Sequence, residues 1–252
     1  ISIPFIAWAM GADVIFSPAN FGPFFARNHV ILLRNATSVI QLTTRLRPMA
    51  YWIMLSMATF TSLVMAKRAI AVSEYAARIL TFGMRGAFRR KLRVVYHGTS
   101  RPSQTREDNK LPGSTLLAVS DIYVQKNYHS LIRAFADVHK RHPNLTLTIV
   151  GREIDEFYAD TLKRMAVSLN IYDAVKFLGH IDPDELTKLY EKCHVFVFPS
   201  TVETFGNPLL EAMSVGAPIA CSNTAAMPEV IGEAGLTFDP RDLRDMAEKI
   251  ER

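Results

Sequence analysis

Between residues 115 and 222, short apolar runs alternate with longer amphipathic segments. Each apolar run stops at a glycine, a proline or a polar residue, as buried parallel strands do. The amphipathic segments have the length and period of helices, which predicts a parallel sheet with helices on both faces. Ligands of such sheets bind at the carboxyl ends of the strands. The predicted strands are 115–119, 145–150, 175–178, 195–198 and 218–221, and the predicted helices are 128–142, 156–169, 183–192 and 207–215.

The first hundred residues predict a second, smaller unit of the same α/β class. The apolar runs 14–17, 29–33 and 69–73 predict strands, and Ser73 is suited to cap a helix that begins at Glu74. Residues 99–114 are polar, contain two prolines and have one large aliphatic side chain, so they predict a linker. We therefore expect a first domain at 1–98 and a second domain at 115–252.

A stretch of 19 uncharged residues, 48–66, has the length of a membrane span. Ser56, Thr59 and Ser62 fall three residues apart on one helix face, so the segment is not uniformly apolar. We predict a buried helix, or a helix that lies at a membrane interface, rather than a span.

The two parts of the chain carry opposite charge. Residues 1–100 have 12 Lys and Arg against two acids, whereas residues 101–252 have 17 against 22. A positive surface attracts anionic lipid or a phosphorylated substrate. Nucleic acid is disfavoured as a partner because no recognition motif accompanies the charge, and a solvated basic face remains the alternative. The basic cluster comprises Arg89, Arg90, Lys91 and Arg93.

Two further features concern processing and location. The chain begins without methionine, and residues 1–10 lack the basic leader and cleavage site of a signal peptide, so we expect a piece of a longer protein. Cys193 and Cys221 each lie in an apolar run, which predicts two reduced core thiols in a cytoplasmic protein.

The stretch 195–219 concentrates the groups that a nucleotide-sugar site needs. A loop with Glu203 follows a strand, and Pro208 suits the first turn of the next helix. Backbone amides at such a helix N-terminus bind phosphate, and a carboxylate one turn further on can accept hydrogen bonds from two neighbouring hydroxyls. The groups concerned are the amides of Asn207 and Leu209 and the carboxylate of Glu211.

This pattern resembles family 4, or group 1, of the retaining glycosyltransferases, which have the GT-B fold of two Rossmann-like domains. The resemblance covers most of the chain and implies that part of the N-terminal domain and the C-terminal end are missing. The residues that carry it are Pro199-Ser200, Glu203, Phe205-Gly206, Glu211-Ala212-Met213, Gly216 and Pro218, with Phe177-Leu178-Gly179-His180-Ile181 upstream.

The resemblance also implies roles within the donor site. Lys126 matches the lysine that neutralises the leaving diphosphate, and Glu203 matches the glutamate that holds the donor sugar. The remaining roles are sugar binding by the amides of Phe205 and Gly206, diphosphate binding by the amides of Asn207 and Leu209, ribose binding by Glu211, and base binding by the backbone of His180 and Ile181.

Two positions depart from the family pattern. Asp121 stands where the family usually has an arginine, and Arg34 and Asn35 stand where it usually has His-Asp. Either the site is built differently or activity is impaired. Arg34 would supply part of the lost positive charge in the first case.

The Asp182-Pro183-Asp184 tripeptide has the form of a metal-binding D-x-D motif, but it also fits a helix start with Asp182 as the cap. We predict the cap, with no metal and no cofactor. The chain also lacks the G-x-G-x-x-G and Walker patterns, which disfavours dehydrogenases and P-loop enzymes.

The resemblance therefore implies transfer of a hexose from a nucleoside diphosphate sugar to a glycan or polyprenyl-linked acceptor. We expect this reaction in cell-surface polysaccharide synthesis, at the cytoplasmic face of the inner membrane. The alternative is a non-catalytic member of the fold that only binds nucleotide or membrane.

Overall fold

The computed structural model describes residues 3–26, 28–34, 46–99 and 114–252. The chain divides into two compact units. The first unit comprises Ile1–His97 and Val202–Phe205, and the second comprises Gly98–Thr201 and Gly206–Arg252. The predicted linker lies outside the described residues except for its two ends, Thr99 and Ser114, and Asn35 lies outside them as well.

The first unit is built on a four-stranded parallel sheet in the order β1-β2-β3-β4. Helix α3 packs on this sheet through Ala76, Ala77 and Leu80, which are fully buried. The strands are β1 (Ile15–Ser17), β2 (His29–Leu33), β3 (Arg68–Ala71) and β4 (Leu92–Val94), and the helices are α1 (Ile3–Ala9), α2 (Leu46–Met65), α3 (Glu74–Leu80) and α4 (Arg85–Phe88).

The second unit is built on a six-stranded parallel sheet in the order β10-β9-β8-β5-β6-β7. Numbered from its first strand, this is the 3-2-1-4-5-6 order of the Rossmann fold, with the switch point between β5 and β8. The strands are β5 (Thr115–Val119), β6 (Thr146–Val150), β7 (Val175–Gly179), β8 (Val195–Phe198), β9 (Ile219–Ser222) and β10 (Leu236–Phe238).

Helices cover both faces of this sheet, so β5 is buried on both sides. Its Leu116 and Ala118 belong to one apolar core, with α5 (Tyr128–Arg141), α6 (Glu156–Ser168) and α10 (Leu243–Glu251). Its Leu117 and Val119 belong to the other, with α7 (Pro183–Lys192), α8 (Asn207–Ser214) and α9 (Met227–Ile231). Alternate side chains of a strand point to opposite faces, which explains the division.

The predicted strands and helices of 115–222 are confirmed, with ends that differ by at most one residue. The prediction for Ser73 is also confirmed, because its hydroxyl accepts a hydrogen bond from the Ala76 amide at the start of α3 (2.8 Å). Cys193 and Cys221 are buried thiols, as predicted. The sequence pattern did not predict α1, α4, α9, β4 and β10, which are short and lack a clear period.

Helix α2 confirms a helix in 48–66, and it buries hydroxyl side chains as well as apolar ones. Thr59 and Ser62 are buried, and the Ser62 hydroxyl accepts from the Gly22 amide (3.2 Å). The same helix exposes Tyr51, Met54 and Met57 to solvent. Among the described residues, no helix combines the length and apolar character that a membrane span requires.

Candidate functional site

A cavity of about 910 Å³ opens at the carboxyl ends of β5, β6 and β7 in the second unit. The loops after these strands form one side, and α7 and α8 form the other. This is the edge at which parallel α/β sheets bind ligands. Three of the predicted donor-site residues, His180, Ile181 and Glu211, line the cavity together.

The other predicted residues of the second unit are not among those that line this cavity. Glu203, Phe205 and Arg34 belong to the first unit. The second-unit residues outside the cavity lining are Lys126, Gly206, Asn207 and Leu209.

Gly151 allows the loops after β5 and β6 to approach each other closely at the wall of the cavity. Its φ is +151°, and an added Cβ would lie 2.0 Å from the Ser120 carbonyl oxygen. Its amide donates to the Gly179 carbonyl at the end of β7 (2.9 Å). Only glycine fits such a position, because other side chains clash with the backbone.

Glu211 lies on α8, where its carboxylate is held by a tyrosine of α7. The Tyr190 hydroxyl donates to Oε2 of Glu211 (2.9 Å). Tyr190 is 2% exposed, and burial together with the Glu211 charge raises the pKa of its hydroxyl, so it remains a donor at neutral pH. The sequence analysis missed Tyr190, since nothing in the helix pattern separates it from an ordinary core residue.

Lys126 ends a short 3₁₀-helix, Val124–Lys126, and is mostly buried. Its Nζ lies 5.2 Å from the ring centre of Tyr123 and 5.9 Å from that of Phe198, at the end of β8. Lysine ammonium groups are attracted to aromatic faces at such distances. The lysine therefore lies at the switch point of the sheet, where the loops after β5 and β8 begin.

The next residue, Asn127, ties this 3₁₀-helix to two neighbouring loops. It adopts a left-handed conformation with φ +58°, which asparagine tolerates better than most residues. Its side-chain amide donates to the carbonyls of Pro199 (3.2 Å) and Pro240 (2.9 Å). The sequence analysis missed this anchor, which holds the backbone beside Lys126.

Glu203 lies in Val202–Phe205, a segment that belongs to the first unit and is held there by side-chain contacts. The Ser73 hydroxyl donates to the Thr204 carbonyl (2.6 Å). The Thr204 hydroxyl donates in turn to the Arg34 carbonyl. Ser73 thus both caps α3 and binds the peptide beside Glu203, a second role that the sequence analysis did not foresee.

Phe205 also holds the 202–205 segment in the first unit, through contacts with two aromatic rings. Its ring lies 5.0 Å, centre to centre, from the His97 imidazole and 6.1 Å from the Tyr96 ring. Burial lowers the pKa of His97, and the nearby Arg34 charge lowers it further, which favours the neutral imidazole. His97 therefore acts as a packing partner of Phe205 in the first unit.

The N-terminus of α8 differs in one detail from the sequence interpretation. Gly206 adopts φ +93° and its carbonyl accepts from the Leu209 amide (2.9 Å). The sequence interpretation had that amide facing outward, whereas in the structure it is hydrogen-bonded within the first turn of the helix. Asn207 is exposed at the first helical position. The assignment of both amides to the diphosphate stays a prediction.

Asp121, which stands where the family pattern usually has an arginine, forms an ion pair with Arg152 in the loop after β6. Nη2 of Arg152 donates to Oδ2 of Asp121 (2.8 Å), and Nε donates to Oδ1 (3.2 Å). These bonds hold the pKa of Asp121 below its usual value. Asp121 follows β5 and Arg152 follows β6, so their positions after predicted strands were visible in the sequence. That β5 and β6 are neighbours in the sheet was not, and the pair was therefore not predicted.

Asp182 caps α7, as predicted, by accepting from the Asp184 amide (2.9 Å). Pro183 occupies the first helical position. Within the part of the chain that the structure describes, no three His, Cys, Asp or Glu side chains lie close enough together to hold a metal ion.

Comparison with known proteins places the chain in a family. The profile of the family described as Glycosyl transferases group 1 matches residues 102–252, which are more than half of the sequence. The chain belongs to the group 1 glycosyl transferases. This identification confirms the resemblance that the motif of 199–218 carried.

Relatives of this group 1 glycosyl transferase include a mannosyltransferase and a glycogen synthase. It is 31% identical over 164 residues to the serotype-specific mannosyltransferase WbdA of Escherichia coli, covering 63% of this chain and 20% of WbdA. It is 34% identical over 134 residues to glycogen synthase of Mycobacterium tuberculosis, covering 52% of this chain and 32% of the synthase. The chain thus spans about a fifth of the length of WbdA.

Solved structures confirm the GT-B fold of this group 1 glycosyl transferase. The Anabaena protein HepE in complex with UDP-glucose matches with a TM-score of 0.79 at 20% identity, over 98% of this chain and 70% of HepE. Sucrose-phosphate synthase from Thermosynechococcus elongatus matches with a TM-score of 0.71 at 21% identity, over 99% of this chain and 61% of that structure.

Proposed function

We propose that this chain is part of a retaining hexosyltransferase that uses a nucleoside diphosphate sugar. The acceptor is a glycan or a polyprenyl-linked glycan in cell-surface polysaccharide synthesis. The observation that carries the proposal is the cavity at the carboxyl ends of β5–β7, with Glu211 held at its wall by Tyr190. The mannosyltransferase relatives support a hexose and a polysaccharide product, and UDP-glucose in HepE supports a nucleotide-sugar donor.

In this proposal Glu211 binds the ribose hydroxyls, and the backbone of His180 and Ile181 faces the base. A carboxylate accepts hydrogen bonds from two adjacent hydroxyls, which suits a ribose. Glu203, with the amides of Phe205 and Gly206, holds the sugar. These assignments rest on the family motif and on the position of Glu211, His180 and Ile181 in one cavity.

The leaving group needs positive charge. During transfer the C1–O bond to the diphosphate breaks, a C1–O bond to an acceptor hydroxyl forms, and the proton of that hydroxyl passes to an oxygen of the departing diphosphate. Negative charge develops on the departing diphosphate, where a fixed cation and a helix N-terminus stabilise it. We assign this role to Lys126 and the N-terminus of α8, including the Asn207 and Leu209 amides, and we expect Arg34 to add charge.

The proposal predicts that the chain binds a nucleoside diphosphate and that the whole protein transfers sugar. The test is a thermal-shift panel of UDP, GDP, ADP and CMP, followed by transfer of a labelled hexose from the matching donor. We expect stabilisation by one diphosphate and transfer to a glycan acceptor. Binding without turnover by the whole protein would favour a non-catalytic nucleotide-binding member, and no binding at all would contradict the donor site.

We also propose that transfer needs no metal ion or other cofactor, since Lys126 and a helix N-terminus neutralise the diphosphate. The same assay, run with EDTA, tests this. Undiminished transfer supports the assignment. Loss of transfer that Mn²⁺ restores would contradict it and return Asp182 and Asp184 to consideration as ligands.

We further propose that the first unit binds an anionic membrane surface at the cytoplasmic face of the inner membrane. The exposed side chains Tyr51, Met54 and Met57 form one stripe of α2. The basic cluster adjoins the end of that helix, because Nζ of Lys91 donates to the carbonyls of Val64 (2.8 Å) and Ala66 (3.0 Å). Apolar side chains flanked by basic ones are typical of surfaces that bind anionic lipid.

This proposal predicts binding to vesicles that contain phosphatidylglycerol, with release as salt rises, because exposed charges are screened within about 8 Å at physiological ionic strength. The double variant Arg89→Ala/Arg90→Ala should weaken binding at low salt, and Met57→Asp should weaken it at every salt concentration. Lys140→Ala, an exposed lysine of the second unit, is the control. Equal binding to neutral vesicles would contradict an electrostatic surface.

A further inference from the structure

The Tyr190–Glu211 pair joins the apolar core of the second unit to its cavity. The Tyr190 ring is fixed by burial and by an edge-on contact with Phe196, with ring centres 5.2 Å apart. A fixed ring places its hydroxyl at one point in space. That hydroxyl donates to Oε2 of Glu211 (2.9 Å), and both residues line the cavity.

A hydrogen bond from a buried tyrosine restricts the carboxylate in two ways. Glutamate has three side-chain torsions, and a fixed donor selects one of its rotamers at the cavity wall. A carboxylate has about four acceptor positions, so one hydrogen bond at Oε2 leaves capacity for further donors. The carboxylate is thus oriented before a ligand arrives, and pre-organisation of this kind improves affinity.

We propose that Tyr190 is a positioning residue for ribose recognition, acting through Glu211. The inference rests on the proposed donor site and adds to it the residue that sets the ribose contact. Tyr190 does not touch the ligand in this scheme. It holds Glu211 in the orientation in which the carboxylate accepts hydrogen bonds from the ribose hydroxyls.

The test is the variant Tyr190→Phe, which removes one hydroxyl and keeps the ring. Affinities are measured by calorimetry for UDP and 2′-deoxy-UDP, and for GDP and 2′-deoxy-GDP. For the base that binds, we expect the variant to lose about fivefold in affinity for the ribonucleotide, in line with one hydrogen bond, and less for the 2′-deoxy form, which keeps only the 3′-hydroxyl contact with Glu211. An equal loss for both forms, or no loss for either, would overturn the positioning role.

A double-mutant cycle separates this role from a purely structural one. In a Glu211→Ala background, Tyr190→Phe should not change the ratio of ribo to deoxy affinity any further, because its route to the ribose is gone. A further change in that ratio would overturn action through Glu211. The control is Tyr158→Phe, another buried tyrosine of the second unit, which bonds to Nδ1 of His129 (2.9 Å) away from the cavity.

The failures of the two proposals are distinguishable. Wild-type protein that binds none of the four nucleotides contradicts the donor site itself, and the inference falls with it. Wild-type protein that binds a nucleotide but does not distinguish ribo from deoxy forms contradicts only the ribose contact of Glu211 and Tyr190. Retained thermal stability in Tyr190→Phe shows that the measured change is local.

Discussion

The variant Glu211→Ala is expected to bind its nucleoside diphosphate roughly 10- to 100-fold more weakly than the wild type. Loss of a charge-assisted contact to hydroxyl groups costs about 1.5–3 kcal/mol, and about 1.4 kcal/mol corresponds to a factor of ten in Kd. Calorimetric titration of this chain measures the effect directly. The variant should fold normally, since Glu211 is only half-buried on α8 and its carboxylate accepts from the Tyr190 hydroxyl, which can turn to solvent-side partners when the carboxylate is absent.

Two companion variants make this result specific. Glu191→Ala removes another carboxylate that lines the same cavity, so it reports the effect of lost negative charge alone. We expect its nucleotide affinity to be unchanged or slightly higher. Glu203→Ala should keep nucleotide affinity and lower sugar transfer by the whole protein. If Glu211→Ala binds nucleotide as the wild type does, the ribose assignment is wrong.

The variant Gly151→Ala is expected to lower the free energy of unfolding by about 3 kcal/mol or more. Its added Cβ would lie 2.0 Å from the Ser120 carbonyl oxygen, which is backbone and has no rotamer by which to move away. The φ of +151° adds strain of about 1–3 kcal/mol for a residue with a side chain. Urea unfolding followed by far-UV circular dichroism measures the change.

Gly179→Ala is the matched control for this variant. Gly179 also ends a strand of the same sheet and also has a positive φ, +67°, but an added Cβ would meet nothing within 4 Å. Its cost should be about 1 kcal/mol, from the left-handed backbone alone. Similar losses in the two variants would show that the contact with Ser120 is not the cause. If Gly151→Ala also loses more nucleotide affinity than Gly179→Ala does, the result would support nucleotide binding in the cavity that Gly151 lines.

Much of the second unit could be predicted because its signals are local. The period of apolar residues places β5 and α7 on the residues that the structure shows, and Asp182-Pro183 marks the start of α7 through hydrogen bonds within one turn. The motif from Pro199 to Pro218 identified the family, because its groups lie close together in the sequence. Short elements such as β4 carry too few residues for a period, and they were missed.

The parts of the candidate site that the sequence did not predict join residues far apart in the chain. Tyr190 meets Glu211 across 21 residues, and Arg152 meets Asp121 across 31. Ser73 reaches Thr204 across 131 residues. Such contacts depend on which strands are neighbours and on how helices pack on them.

Sequence alone therefore determined the fold class, the family and most elements of the second unit, because periodicity, capping and motifs act within a few residues. Tertiary structure alone decided the strand order, the partners of Asp121 and Glu211, and which face of α2 is buried. The α2 helix shows the reason. Within the helix, the Thr59 hydroxyl donates to the Leu55 carbonyl (2.8 Å), whereas the buried Ser56 hydroxyl has no partner among the described residues. The buried Ser62 hydroxyl accepts from the Gly22 amide of another segment, which offsets the cost of burying it. Whether such a partner exists depends on residues that the helix pattern does not contain.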